Sequence, residues 1–504
     1  MADCINEKID SNVTELRIAE EECLRELGDA PVWVPRDPNS YGSFGATFNR
    51  ITRAPISRGR QRRKGKIVGL DSDAAFNADL TASALREDLQ GFMFADLRVK
   101  GVSRASEVTP SGVTLVNGDA IPVGSLVALS GFAATSNRGL RTVTTNAAGV
   151  VSVSGTLVAE PNPPAGAAVS VVGAVAGAVS VVTPAGGYPR LVSESFDFTT
   201  LGLVPGEWVC VGGDAAGTYF ADAMNNGFKR VRSVRADELV FDKSHGVMKA
   251  EGEVASLHIY TGHHLRNETG NLIKRRTYQL ERALGSLDGL EPGQYEYITG
   301  AVPNEFNVSL TEEDKITADL SYVGTGYETR TQAEGPKEGA RPALIDEDVY
   351  NTTSDVVAMN LTILNPGDAS PSPLFGYATD VSIGISNGVT RNKAIGVMGA
   401  FDATAGDFVV TGNVTAYFSD IAAVRAIERN ADVSFDMALV LDNKGVIFDI
   451  PLLSLGDGRI NVTKDEPIML PVSLEAGSGA KIDSALNYTL GLQFFDYLPM
   501  RATA

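Results

Sequence analysis

The 504-residue sequence predicts a mainly β protein: two tandem β-sandwich or barrel units, each with a short helix, plus two small inserted β modules. Three observations carry this expectation. Composition is the first, because 52 Gly, abundant Val and Thr and only 7% aromatic residues favour many short strands joined by turns. The second is a strand-then-helix pattern that occurs twice, over residues 76–92 and 408–427. In each copy apolar residues alternate with Asn, Thr, Asp or Ser, to Leu85 in the first and Phe418 in the second, and the apolar spacing then shifts to three and four. Ile51-Thr-Arg53 and Val389-Thr-Arg391 lie upstream of the two copies, with a drift in spacing that a loop insertion allows. The third observation is a smaller repeat. Residues 124–131 (GSLVALSG) resemble residues 206–213 (GEWVCVGG), and each stretch leads to an Asn-x-Gly turn, at Asn137 and Asn225, and then a strand.

In chain order, Leu16, Ala19, Cys23 and Leu27 form a helical stripe, so residues 10–27 are expected to be a helix stopped by Gly28. Residues 30–43 hold three prolines, which excludes a central strand and suggests an extended arm. Residues 1–101 are read as this arm and the first part of unit one, 102–190 and 191–245 as the two inserted modules, and 246–345 as the rest of unit one with a linker at 334–342. Residues 346–504 form unit two, where residues 469–474 and 488–494 echo the closing hairpin of unit one. The inserted modules, with their own turns and apolar alternation, are expected to fold independently of the large units.

The formal net charge of −19 argues against a broad nucleic-acid-binding surface, which needs clustered Lys and Arg. Three cysteines, Cys4, Cys23 and Cys210, make no disulfide framework, and the charged N-terminus lacks the apolar core of a secretory signal. Residues 165–182 are uncharged but consist of Ala, Gly, Ser and Val, so two short strands rather than a membrane span are expected there.

The order of the arm, the strand with Thr81 and its helix, residues 274–282 (KRRTYQLER), residues 298–306 (ITGAVPNEF) and residues 411–420 (TGNVTAYFSD) resembles the tail tube, or major tail, proteins of bacteriophages with long, non-contractile tails, in particular those with two fused tube domains. The resemblance implies a structural virion protein that polymerises into stacked rings around a channel for DNA ejection. It further implies six-fold geometry met by three chains per ring, hence a homotrimeric, pseudo-hexameric layer, with other phage tail proteins as partners and double-stranded DNA in transient passage. The location implied is the virion tail, after synthesis in the host bacterial cytoplasm.

In such a ring the polar faces of the repeated strands are available to line the lumen: Asn77, Asp79, Thr81, Thr411, Asn413 and Thr415, with Asn307, Ser309, Thr317, Asp319 and Ser321 from the closing hairpin. The one strong basic run, Arg58, Arg60, Arg62, Arg63, Lys64 and Lys66, is the candidate for contacts between rings. The alternative reading is a β-rich virion surface or host-binding protein whose inserted modules are the active part.

Enzyme chemistry finds no support. Gly384-Ile-Ser386-Asn-Gly388 matches a nucleophile-elbow pattern, yet all four histidines precede it. His258, His263 and His264 are close in sequence without the spacing of a zinc site. Residues 212–217 lack the Lys-Ser/Thr of a phosphate loop, so no catalytic, cofactor or metal site is expected.

Overall fold

The computed structural model describes residues 11–503 apart from 54–55, 57, 59–62, 119, 148, 243–246, 286–292, 365–371, 419 and 461. It is mainly β, and the chain divides into two compact units. One comprises residues up to Ala95, Glu268–Tyr350 and Asp380–Asn413, and the other Asp96–Asn267, Asn351–Thr379 and the residues from Val414 onward.

In the first unit an antiparallel ladder runs through Glu15–Glu20, Tyr278–Ala283, Tyr295–Thr311, Thr317–Gly324, Lys66–Asp79 and Pro38–Ile51, each strand pairing with the next. Tyr295–Thr311 changes partners along its length. Its N-terminal half lies between Tyr278–Ala283 and Gly326–Arg330, and its C-terminal half between Thr317–Gly324 and Ala378–Ser386. Helix α1 (Ala82–Phe92) covers one face, because Leu85, Leu89 and Phe92 recur at spacings of four and three and are all buried. The Phe92 ring packs 5.5 Å from Phe306 and 5.2 Å from Tyr322, centroid to centroid.

Three expectations are corrected in this unit. Residues 15–20 form a strand rather than the middle of a helix: Leu16 and Ile18 are buried at period two, and pairing with Tyr278–Ala283 decides between the two periods that this short stretch satisfies. The first repeated strand stops at Asp79, and Thr81 is the residue before α1, since Ala-Ser-Ala-Leu-Arg-Glu-Asp-Leu is strongly helix-forming. The segment 334–342 is docked rather than a free spacer. The Trp33 amide donates to the Ala340 carbonyl at 2.8 Å and the Ala340 amide to the Pro31 carbonyl at 2.9 Å, the Trp33 indole donates to the Glu338 carbonyl at 3.0 Å, and Arg341 meets the buried Glu281 carboxylate at 2.7 Å.

The second unit repeats the same ladder. Val356–Ile363, Val433–Leu441, Lys444–Asp457 and Met469–Gly477 pair in that order, Met469–Gly477 pairs with Val409–Tyr417, and Gly491–Phe495 flanks the N-terminal half of Lys444–Asp457. Helix α2 (Ala422–Glu428) follows Val409–Tyr417 as α1 follows Lys66–Asp79. The duplication read from two short segments is therefore a duplication of strand order. Met469–Gly477 corresponds to Thr317–Gly324, whereas Gly491–Phe495 corresponds to Gly326–Arg330 and not to a strand of the closing hairpin.

The inserted region forms two closed six-stranded barrels that share one strand. Val102–Thr109, Gly112–Leu115, Val150–Val153, Gly139–Ala147, Ser125–Ser130 and the start of Ala168–Val182 pair in a circle. The rest of Ala168–Val182 pairs in a second circle with Arg190–Ser193, Glu238–Phe241, Gly227–Val234, Trp208–Val211 and Glu251–Tyr260. Residues 168–182 are thus one bent strand, not two. Gly173 sits where the strand passes between barrels, and any Cβ there would collide with the Ile259 carbonyl oxygen.

The repeat extends to single side chains. Asn137, wholly buried, donates to the Val158 carbonyl at 2.8 Å and to Glu160 at 2.6 Å and accepts from the Val158 amide at 2.8 Å. Asn225, equally buried, makes the same three bonds to Lys249 and Glu251 at 2.9, 2.7 and 2.9 Å. Each barrel has its own core, around Phe132 and Phe220 respectively. The modules are not independent of the rest, however. Leu126, Trp208, Cys210, Phe228 and Tyr260 on their outer walls join Ala438, Val440, Ile447, Phe495 and Leu498 in one apolar cluster, so the alternation expected to serve only internal cores also serves a joint with the C-terminal sheet.

Candidate functional site

Period-two alternation on four paired strands builds a polar face in the first unit. Asp79 stands opposite Thr317, Thr317 opposite Ser309 and Ser309 opposite Ser382; one pleat along, Asn77, Asp319, Asn307 and Gly384 align in the same way. The intervening residues Phe76, Ala318, Leu320, Phe306, Val308, Ile383 and Ile385 are buried on the opposite face, against which α1 packs. Of the eleven candidate lumen residues, Asn77, Asp79, Asn307, Ser309, Thr317, Asp319 and Ser321 are brought together on this face. Thr411 and Asn413 are exposed on Val409–Tyr417; the segment that connects it to Ala378–Ser386 holds the paired Thr390–Asn392 and Asp402–Thr404, and its Gly406 amide donates to the Asn387 carbonyl. Thr415 is half-buried in the other unit, where its carbonyl accepts from the Thr379 hydroxyl at 3.3 Å. Thr81, at the start of α1, stands off the strand.

Hydrogen bonds order the face. Asn77 donates to Asp319 at 2.8 Å, Asn39 donates to Asn77 at 3.1 Å and also to Asp79, and Lys315 reaches Asp79 at 2.7 Å. Hydroxyls, amides and carboxylates therefore dominate, with Lys315 neutralising one carboxylate at the rim. Asn39, Ser382 and Gly384 belong to the face and were missed by sequence reasoning. The signal for the last two was present, as Asp380, Ser382, Gly384 and Ser386 alternate with buried Val381, Ile383 and Ile385.

The basic run falls between the paired strands Pro38–Ile51 and Lys66–Asp79 in the sequence, and Lys66 opens the second of them. Arg58, Arg63, Lys64 and Lys66 are exposed, while Arg60 and Arg62 lie outside the described residues. Ser386 ends a strand, and the next residue, Asn387, is buried and donates to the Phe92 and Pro303 carbonyls at 2.9 and 3.1 Å. The segment is a structural turn without the strand-to-helix elbow. His263 accepts from the Lys100 amide at 2.9 Å and faces Asp496, and His264 faces Gln493 at 3.1 Å; among the described residues no group of His, Cys, Asp or Glu could hold a metal.

A family model described as phage tail tube protein matches residues 11–476. The chain belongs to the phage tail tube protein family. A search among curated proteins finds no match. Membership makes this a structural protein of the virion tail, one that assembles with itself and with other tail proteins. Among the described residues no helix is long and apolar enough to cross a membrane.

Proposed function

We propose that this tail tube protein polymerises into stacked rings of three chains, made in the host cytoplasm, and that the resulting tube conducts DNA during ejection. The observation that carries the reading is the ordered polar face on a ladder that the chain contains twice. Two equivalent ladders per chain allow a head-to-tail contact between unlike halves to close a ring of three chains with six similar positions. A wall of hydroxyls, amides and carboxylates suits a conduit for DNA. A basic wall would retain the duplex through counterion release, whereas acidic groups repel it over roughly a Debye length, about 8 Å at physiological salt. The exposed Arg58, Arg63, Lys64 and Lys66 supply opposite charge to a chain of net −19, and are assigned to the contact between successive rings.

Imaging of the purified, assembled protein with symmetry analysis tests the proposal. Rings of three chains with a hollow centre are expected. Six chains per layer would refute the stoichiometry, a solid filament would refute the conduit, and a chain that stays monomeric under all assembly conditions would refute both.

A further inference from the structure

The docked segment 334–342 and the buried Tyr350 bracket a stretch of the first unit that is held at its ends and almost untied between them. Arg17 donates to the Pro342 carbonyl at 3.2 Å, the Tyr350 amide donates to the Leu80 carbonyl at 3.2 Å, and the Tyr350 carbonyl accepts from the Ile316 amide at 2.8 Å. Residues 343–349 form no strand or helix. Among the described residues their one hydrogen bond runs from the Ser83 amide to the Glu347 carboxylate, at 3.1 Å. That bond serves α1 as well. Thr81 gives the helix no side-chain cap and its first turn holds no acidic residue, so Glu347 brings from far along the chain the carboxylate that a helix N-terminus favours.

Beneath this stretch, between α1 and the apolar face of the ladder, lies a cavity of about 420 Å³. The buried Leu80, Leu85, Phe306 and Leu320 supply its apolar wall. Leu344 and Ile345 line its rim, yet they are 52% and 66% exposed. Two branched apolar side chains thus stand in water beside an apolar cavity large enough for both, and burial favours their moving in.

We propose that residues 343–349 are a strap with two positions. In the observed one, Glu347 latches the strap to α1 and Leu344 and Ile345 stay at the surface. With the latch released the strap moves inward, and those two side chains fill the cavity. The bonds at Pro342 and Tyr350 persist in both positions, so the movement is confined to the seven residues between them. The strap decides whether the chain offers an apolar pair to a partner or withdraws it, a two-state choice biased by a single bond. It stands apart from the ring reading and does not depend on the number of chains in a layer.

Thiol labelling tests it. In a background with Cys4→Ser and Cys23→Ser, where Cys210 is buried, Leu344→Cys and Ile345→Cys are made singly, each with and without Glu347→Ala. With Glu347 in place, both thiols are expected to react about as fast as in the denatured chain. With Glu347→Ala the rate should fall roughly tenfold, as for a strap closed about nine-tenths of the time. Ala84→Leu fills the cavity from α1 and Ala318→Leu fills it from the ladder; either one, added to Glu347→Ala, should return the fast rate. The filling variant whose circular dichroism spectrum matches the parent's is the one compared. An unchanged or faster rate on loss of Glu347 would overturn the proposal, because the strap would then have no inward position. Slow reaction with Glu347 in place would overturn the latch, and protection that survives filling of the cavity would overturn the cavity as its cause.

Discussion

Replacing Asn137 or Asn225 by Ala should open the same local structure in each barrel by the same amount. Each amide is wholly buried, and each satisfies one backbone N–H and one backbone C=O at 2.8–2.9 Å, those of Val158 and of Lys249. Truncation leaves both groups without a partner. At about 1–1.5 kcal/mol for each orphaned group, the local cost is about 2–3 kcal/mol, before any effect on the neighbouring Glu160 or Glu251 carboxylate. Hydrogen exchange reads this directly, because about 2–3 kcal/mol of lost local protection speeds exchange roughly 30- to 150-fold. Exchange of the Val158 amide should accelerate in Asn137→Ala and that of the Lys249 amide in Asn225→Ala, each leaving the other barrel unchanged. Unchanged exchange at both positions, or acceleration in one barrel only, would refute the view that the two turns are one repeated latch.

Phe92→Ala removes the wholly buried ring between Phe306 and Tyr322 and should cost about 3–5 kcal/mol in denaturant unfolding, with loss of tube assembly because the polar face loses its backing. His264 is held at about 3 by burial and by the nearby Arg266 and Arg98. The unfolded chain therefore takes up this proton near pH 6.5 while the folded one does not, and stability should fall as pH drops from about 6.5 towards 3, by up to about 5 kcal/mol. Unfolding of the parent and of His264→Gln across that window checks this, and parallel pH profiles would contradict it. Asp79→Lys with Asp319→Lys should make assembled tubes retain duplex DNA at about 50 mM salt and release it near 200 mM, whereas the parent retains none in a co-sedimentation assay. Equal retention by both would remove the polar face from the lumen.

Local periodicity is what the sequence determined. The alternation in residues 307–311, 317–321 and 76–79 was enough to sort polar from buried side chains, because a strand's two faces are set by the backbone itself whatever its partner. The Asn-x-Gly turns were equally legible, since Gly139 and Gly227 both take positive φ, at 101° and 80°. Partnership was not legible. Residues 15–20 satisfy both a helical and a strand period, and only Tyr278–Ala283, over two hundred and fifty residues away, decides between them. The carboxylates of the two latches, Glu160 and Glu251, come 23 and 26 residues after their asparagines along unlike connecting segments, so no shared spacing marked them. The shared strand of the barrels, the docking of 334–342 by Trp33 and Glu281, and the pairing of Glu305–Thr311 with Asp380–Ser386 are likewise long-range choices. Many strands of this composition could pair with one another, and it is burial of one particular set of apolar faces that selects among them.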